Sequence, residues 1–86
     1  MKPDSTQIVI ADRGFIWVGK VTLKPDMVLI RDAKQVRRWG TTQGLGEIAK
    51  GGPTRSTILD PAGTVQLPLR AVIAFVECKE SAWAAQ

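Results

Sequence analysis

Short apolar runs recur at intervals of about ten positions along the chain, and turn-forming residues separate them. The runs that favour strands are residues 8–10, 15–23, 27–30, 56–59, 64–67 and 71–76. They are rich in β-branched and aromatic side chains, which suit a pleated sheet. The pattern predicts a mainly β protein: a small antiparallel curled sheet or barrel of about five to six strands, with one short inserted helix at about 42–50.

The second apolar run shows the two-residue period of a strand. Phe15, Trp17, Val21 and Leu23 fall on one face of it, and the opposite face becomes polar towards the end. The following Lys-Pro-Asp sequence, residues 24–26, is typical of a turn with proline at its second position. We therefore expect the next strand to return antiparallel.

A second turn signal lies between the runs 56–59 and 64–67. Asp60, Pro61, Ala62 and Gly63 match a type I turn, with proline in the second place and glycine in the fourth. The sequence therefore predicts a hairpin here. Pro68 should confine the second strand to a sheet edge or end it early.

The last apolar run, residues 71–76, is apolar on both faces, which predicts a central strand or a strand at an interface. Cys78 follows it and is expected to be a buried small hydrophobic residue. We expect one β domain over residues 1–78 and a tail over 79–86, with Trp83 able to dock the tail against the domain.

The middle of the chain changes from strand to helix character. Leu45, Ile48 and Ala49 have the spacing of one helix face, and Thr41 or Thr42 could cap the helix start. The Gly-Gly-Pro sequence that follows is a stop signal. Because a helix of about two turns does not persist alone, tertiary packing must hold it.

Composition excludes several classes of function. The chain has 86 residues, a net charge of +4, one cysteine and no histidine. These counts exclude an intrachain disulfide, histidine-activated nucleophiles and most zinc sites, so we expect no enzyme activity, no cofactor and no metal. The N-terminal residues are polar, and no run reaches the roughly 18–20 apolar residues of a membrane span. We expect a cytoplasmic protein with no membrane partner.

Positive charge is concentrated in one half of the chain. Residues 13–55 hold nine lysines and arginines against three acidic residues. Such a region attracts anions, including nucleotides, phosphates, nucleic acid or an acidic protein surface. The alternative is a solvated face that keeps the protein soluble.

The candidate ligand-binding residues lie around the bend after the third strand. Guanidinium groups can bind phosphate, an indole can stack on a base, and glycines let a ligand approach the main chain. The candidates are Arg37, Arg38, Trp39, Thr41, Thr42, Gly44, Gly46 and Lys50. Alternatively, the glycines only satisfy backbone torsions, and the tryptophan packs beneath the helix.

Four short sequence motifs occur together between residues 38 and 73. They are R-W-G-T-T-Q-G-L-G-E-I-A (38–49), G-P-T (52–54), T-I-L-D-P-A-G-T-V (57–65) and A-V-I (71–73). Together they resemble a family of short, functionally uncharacterised proteins of tailed bacteriophages and prophages. The resemblance implies a phage origin, a location in the host cell cytoplasm and a role directed at the host.

Three functions are consistent with these observations. The first is a homo-oligomeric, non-enzymatic protein that captures a phosphorylated small molecule, for example a nucleotide immune signal, in a basic cleft. The second is a protein–protein inhibitor or assembly factor that acts on a host or virion protein. The third is a small barrel that binds single-stranded nucleic acid, for which the same basic and aromatic residues would serve.

Overall fold

The computed structural model describes residues 2–84 and shows one antiparallel sheet of five strands with two short helices. The strands are β1 (Ser5–Ala11), β2 (Ile16–Leu23), β3 (Met27–Arg38), β4 (Ile58–Pro68) and β5 (Val72–Glu77). The helices are α1 (Leu45–Gly51) and α2 (Glu80–Trp83), and single 3-10 turns occupy Asp12–Gly14 and Leu69–Ala71. The sheet order is β4-β3-β2-β1-β5. The prediction of a mainly β fold is confirmed.

The sheet is strongly curled because its two edge strands are neighbours in sequence. Only Leu69–Ala71 lies between the end of β4 and the start of β5. Four peptide steps span at most about 15 Å, whereas five flat strands would hold the two edges about 19 Å apart. The sheet must therefore curl to bring its edges together, although β4 and β5 do not pair with each other among residues 2–84.

Both faces of the sheet carry a core, because side chains alternate along each strand. Ile8 and Val18 point to the face that α1 and α2 cover, and Val9 and Val21 point to the opposite, concave face. The helix-covered cluster comprises Ile8, Ile16, Val18, Val36, Leu45, Ile48, Ala49, Cys78 and Trp83. The concave cluster comprises Val9, Val21, Val28, Ile30 and Ala33.

The predicted alternation in the second strand is confirmed in its centre. Val21 is buried in the concave cluster, and Trp17 packs against it. Phe15 and Leu23, at the two ends of the run, are instead nearly half exposed. The turn at residues 24–26 is also as predicted, since β3 returns antiparallel to β2.

The predicted hairpin at residues 60–63 is wrong, because Ile58–Pro68 forms one continuous strand. Its pairing with the twelve-residue strand β3 overrides the local turn signal. Lys34 pairs with Pro61, and a bulge between that pair and Gly63 absorbs one extra residue. Gly63, beside the bulge, has φ of +72°, a conformation that glycine adopts without steric cost. Proline is tolerated here because β4 is an edge strand.

The C-terminal predictions are largely confirmed. β4 ends at Pro68, and Cys78 is buried. Trp83 docks residues 80–83 onto the domain, and its indole N–H donates to the carbonyl of Ile48 at 3.0 Å. β5 lies at a sheet edge, which corrects the prediction of a central strand and leaves the interface alternative as a prediction.

The inserted helix exists but is shorter than predicted. α1 begins at Leu45 rather than near residue 42, and it ends at Gly51. Leu45, Ile48 and Ala49 are buried against the sheet, as their spacing predicted. Tertiary packing therefore holds a helix that would not persist alone.

Candidate functional site

Two threonine hydroxyls and a close backbone contact hold the bend after β3. The hydroxyl of Thr57 donates to the carbonyl of Trp39, and the hydroxyl of Thr54 donates to the carbonyl of Gly40, each at 2.6 Å. Gly40 has φ of +65°, and a side chain there would collide with the backbone of Ser56. Trp39 is 42% exposed. The alternative interpretation, in which this tryptophan packs beneath the helix, is therefore wrong.

The main-chain amides of the bend already bind an acidic group of the protein. The N–H groups of Thr42 and Gln43 donate to Oε1 of Glu47, each at 3.1 Å, and the Thr42 hydroxyl donates to it at 2.9 Å. These contacts, chiefly that of the hydroxyl, lower the pKa of Glu47. The predicted cap by Thr41 or Thr42 is wrong, since Gly44 precedes α1 and offers no side-chain cap.

One of the basic residues near the bend is already paired with an acidic group of the protein. The guanidinium of Arg37 binds the carboxylate of Asp60 with Nε–Oδ2 and Nη2–Oδ1 distances of 2.8 and 3.3 Å. This hydrogen bonding raises the pKa of Arg37. Arg38 is exposed and forms no salt bridge within residues 2–84. Gly46 and Lys50 are exposed positions of α1.

A cleft of about 590 Å³ lies elsewhere, between the sheet and α2. This volume is within the range of small-molecule sites. Its lining residues are Thr6, Val18, Gly19, Lys20, Asp32, Lys34, Glu80, Trp83 and Ala84. None of the candidate residues named from the sequence lines it, so the structure separates the predicted bend from this cleft.

One wall of the cleft is fixed by a hydrogen-bonded carboxylate. Glu80 accepts the main-chain N–H of Thr6 at 2.6 Å and its hydroxyl at 2.7 Å. The hydroxyl contact and then the N–H contact lower the pKa of Glu80. This carboxylate therefore has partners within the fold, and it positions α2 at the edge of the cleft.

The floor of the cleft is an irregular part of the β2–β3 pairing. Gly19 permits a close approach of the two strands, since a side chain there would lie 2.7 Å from Ile30 and 2.8 Å from the Arg31 carbonyl oxygen. The β2–β3 register shifts between residues 18 and 20, and the β3–β4 register shifts between residues 30 and 33. Asp32, within this irregularity, has φ of +50°, which is uncommon for a residue with a side chain. Such backbone strain concentrates at functional sites.

Besides Glu80, two lysines and this aspartate supply the charge of the cleft, so its lining carries two basic and two acidic side chains. Lys34 pairs with Val18 across the strands, so the two side chains share the helix-covered face. Lys20 follows two positions after Val18 on the same strand. Within residues 2–84, no salt bridge or side-chain hydrogen bond engages the charged groups of Lys20, Lys34 or Asp32.

Sequence reasoning missed the cleft although Lys20 and Lys34 belong to the basic half of the chain. Fourteen positions separate the two lysines, and only the β2–β3 register brings them to one side. No local motif marks them. The usable signal was weaker: a glycine beside Lys20 inside an apolar strand, which indicates a bulge or a close backbone approach.

The Cys78 thiol and a possible metal site are the other candidates for chemistry. Burial raises the pKa of the Cys78 thiol to about 12, which leaves it protonated and unreactive. In the described residues, no three histidine, cysteine or acidic side chains are grouped to hold a metal ion. Neither α1 nor α2 is long and apolar enough to cross a membrane.

No protein-family model matches this chain, and no curated protein matches it.

Proposed function

We propose that this chain is a non-enzymatic binding protein that captures a phosphorylated small molecule in the cleft between β2, β3 and α2. The main support is the placement of Lys20 and Lys34 on the lining of a cleft of small-molecule size, where neither ammonium group forms a salt bridge within residues 2–84. Ammonium groups without partners bind phosphate oxygens through charge-assisted hydrogen bonds. The ligand-binding function predicted from the sequence is kept, but the site we favour moves away from the bend.

Of the two acidic side chains in the cleft, Asp32 narrows the class of ligand. Asp32 has no salt-bridge partner in the described chain and can accept hydrogen bonds from N–H donors, whereas Glu80 is already bound by Thr6. A ligand with both phosphate and N–H donors, such as a nucleotide, complements this arrangement better than bare phosphate does. The resemblance to small phage proteins makes nucleotide immune signals the first ligands to test.

Isothermal titration calorimetry tests the proposal, with cyclic nucleotides and ADP-ribose derivatives as ligands. Lys20→Ala and Lys34→Ala should each weaken binding about tenfold or more, since a charge-assisted hydrogen bond contributes roughly 1.5–3 kcal/mol. Lys24→Ala, in the β2–β3 turn, removes the same charge outside the cleft lining and should leave binding unchanged. Absence of heat for every ligand at micromolar protein would reject the proposal.

The bend is the competing site, and one further variant separates the two. Arg38→Ala leaves the cleft lining intact and should not change affinity if the ligand occupies the cleft. If Arg38→Ala abolishes binding while Lys34→Ala does not, the ligand binds at the bend and the proposed site is wrong.

The exposed pair Arg38 and Trp39 supports nucleic-acid binding as a second candidate function. A half-exposed indole can stack on a base, and the adjacent guanidinium can bind phosphate. Binding of a single-stranded oligonucleotide should then fall steeply with salt and should weaken in Trp39→Ala. A flat salt response would exclude this candidate.

A further inference from the structure

We propose that the free edge of β5 pairs with the same edge of a second copy of this chain, so that the sheets of two copies become continuous. The starting observation is that the two edges of the sheet differ. β4 carries Pro61, Pro68 and the bulge before Gly63. Prolines and bulges are features that prevent an edge strand from pairing with another chain. β4 is therefore a protected edge.

β5 is less protected, because its one bulge lies at Ile73, near the start of the strand, and residues 74–77 pair regularly with β1. Its sequence, V-I-A-F-V-E, contains no proline, and its first charged residue is Glu77 at the end. The side chain of Ile73 is 66% exposed, the highest value among the exposed large apolar residues. An uncharged, apolar edge strand of this kind is a template for strand addition.

The main chain of β5 has unpaired groups on its outer side. The N–H of Cys78 donates to the Thr6 carbonyl at 3.1 Å, so residue 78 faces β1. Because the direction alternates along an antiparallel strand, Phe75 and Glu77 direct their N–H and C=O groups away from β1. No strand of residues 2–84 pairs with that side.

Further apolar surface lies beside the start of β5. Ala11 pairs with Val72, and its N–H also donates to the carbonyl of Phe15 at 2.8 Å. The Phe15 side chain is 48% exposed, and Leu69, just before β5, is 39% exposed. Contact with a second strand and its flanking residues would remove this surface from water, which is favourable by about 25 cal/mol per Å².

The chemistry of the edge favours a second copy over a charged partner. No charged side chain occurs from Ala71 to Val76, so the complementary strand must itself be apolar and extended. β5 meets that description. A two-fold antiparallel pairing also places the two Glu77 side chains at opposite ends of the contact, which avoids like-charge repulsion.

The proposed interface is independent of the proposed function. No residue of β5 lines the cleft, so Lys20, Lys34 and Asp32 remain accessible in the pair. A failure of ligand binding and a failure of pairing can therefore be measured separately.

Light scattering and sedimentation velocity from micromolar to millimolar protein test the pairing. The wild-type chain should approach twice the mass of one chain as concentration rises. Ile73→Lys places a cation on the free edge and should weaken association at least tenfold. Because Ile73 is mostly exposed, the variant should keep the wild-type circular dichroism spectrum.

Thr64→Lys is the matched control, since it introduces the same charge at an exposed position of β4. It should associate like the wild type. A monomer at every concentration would overturn the proposal and favour a foreign strand as the partner of this edge. Association unaffected by Ile73→Lys, or lost in Thr64→Lys, would overturn it by assigning the contact to another surface.

Discussion

Glu80 binds both the main-chain N–H and the hydroxyl of Thr6, a residue 74 positions earlier in the chain. This pair joins α2 to β1 and shapes one wall of the cleft. The Glu80 carboxylate lines the cleft, but it already accepts hydrogen bonds from two donors of Thr6. The pair therefore positions the wall, and the lysines remain the groups available to an anion.

The Glu80–Thr6 pair makes stability depend on pH. The folded-state pKa of Glu80 lies below its usual value of 4.5, so its contribution is fully present above about pH 4.5 and is lost as pH falls through the lowered pKa. Glu80→Gln should lower the melting temperature at pH 7, and its difference from the wild type should shrink towards pH 3. Thermal melts at several pH values measure this. A difference that stays constant with pH would contradict the role of the charged carboxylate.

Gly40 and Gly14 form a matched pair for testing how the bend is held. Both have positive φ, +65° and +79°, but only Gly40 has neighbouring backbone where a side chain would lie. Gly14→Ala should cost about 1–2 kcal/mol from conformation alone. Gly40→Ala should cost clearly more, because its methyl group collides with Ser56. Chemical denaturation compares them, and equal losses would show that the bend is not packed as described.

Glu47 should protect the amides of the bend from hydrogen exchange. In the wild type, the N–H groups of Thr42 and Gln43 are bound to its carboxylate. Glu47→Ala should therefore speed exchange at both amides several-fold. Lys50→Ala, at an exposed position of the same helix, should not change it. Fast exchange at both amides in the wild type would contradict their hydrogen bonds to Glu47.

Cys78 should be inert in the folded protein. Burial raises its pKa to about 12, so almost no thiolate forms at pH 8. A thiol reagent should label the unfolded chain quickly and the native chain only as fast as it opens. Rapid stoichiometric labelling under native conditions would show that the thiol is accessible.

The sequence predicted the parts of the fold that depend on local pattern. Alternation placed Val21 in the core, and the spacing of Leu45, Ile48 and Ala49 identified the packed face of the helix. The Asp60–Gly63 turn failed because the long neighbouring strand supplies a hydrogen-bonding partner for the same residues, and local turn preference is weaker than that pairing.

The cleft could not be predicted because it depends on register. Lys20 and Lys34 reach the same cleft only after β2 and β3 pair with a shift around Gly19. By contrast, the bend has the local composition of an anion site. The structure directs two of its amides to Glu47 and one of its arginines to Asp60, contacts that sequence spacing alone does not specify.

An NMR titration of the ¹⁵N-labelled protein with the tightest-binding nucleotide tests the central claim most directly. The account predicts that the largest shifts occur at the amides of Lys20, Asp32 and Lys34 and at the indole N–H of Trp83, while the indole N–H of Trp39 stays in place. Shifts centred on Trp39 and Arg38, with the cleft unchanged, would contradict it.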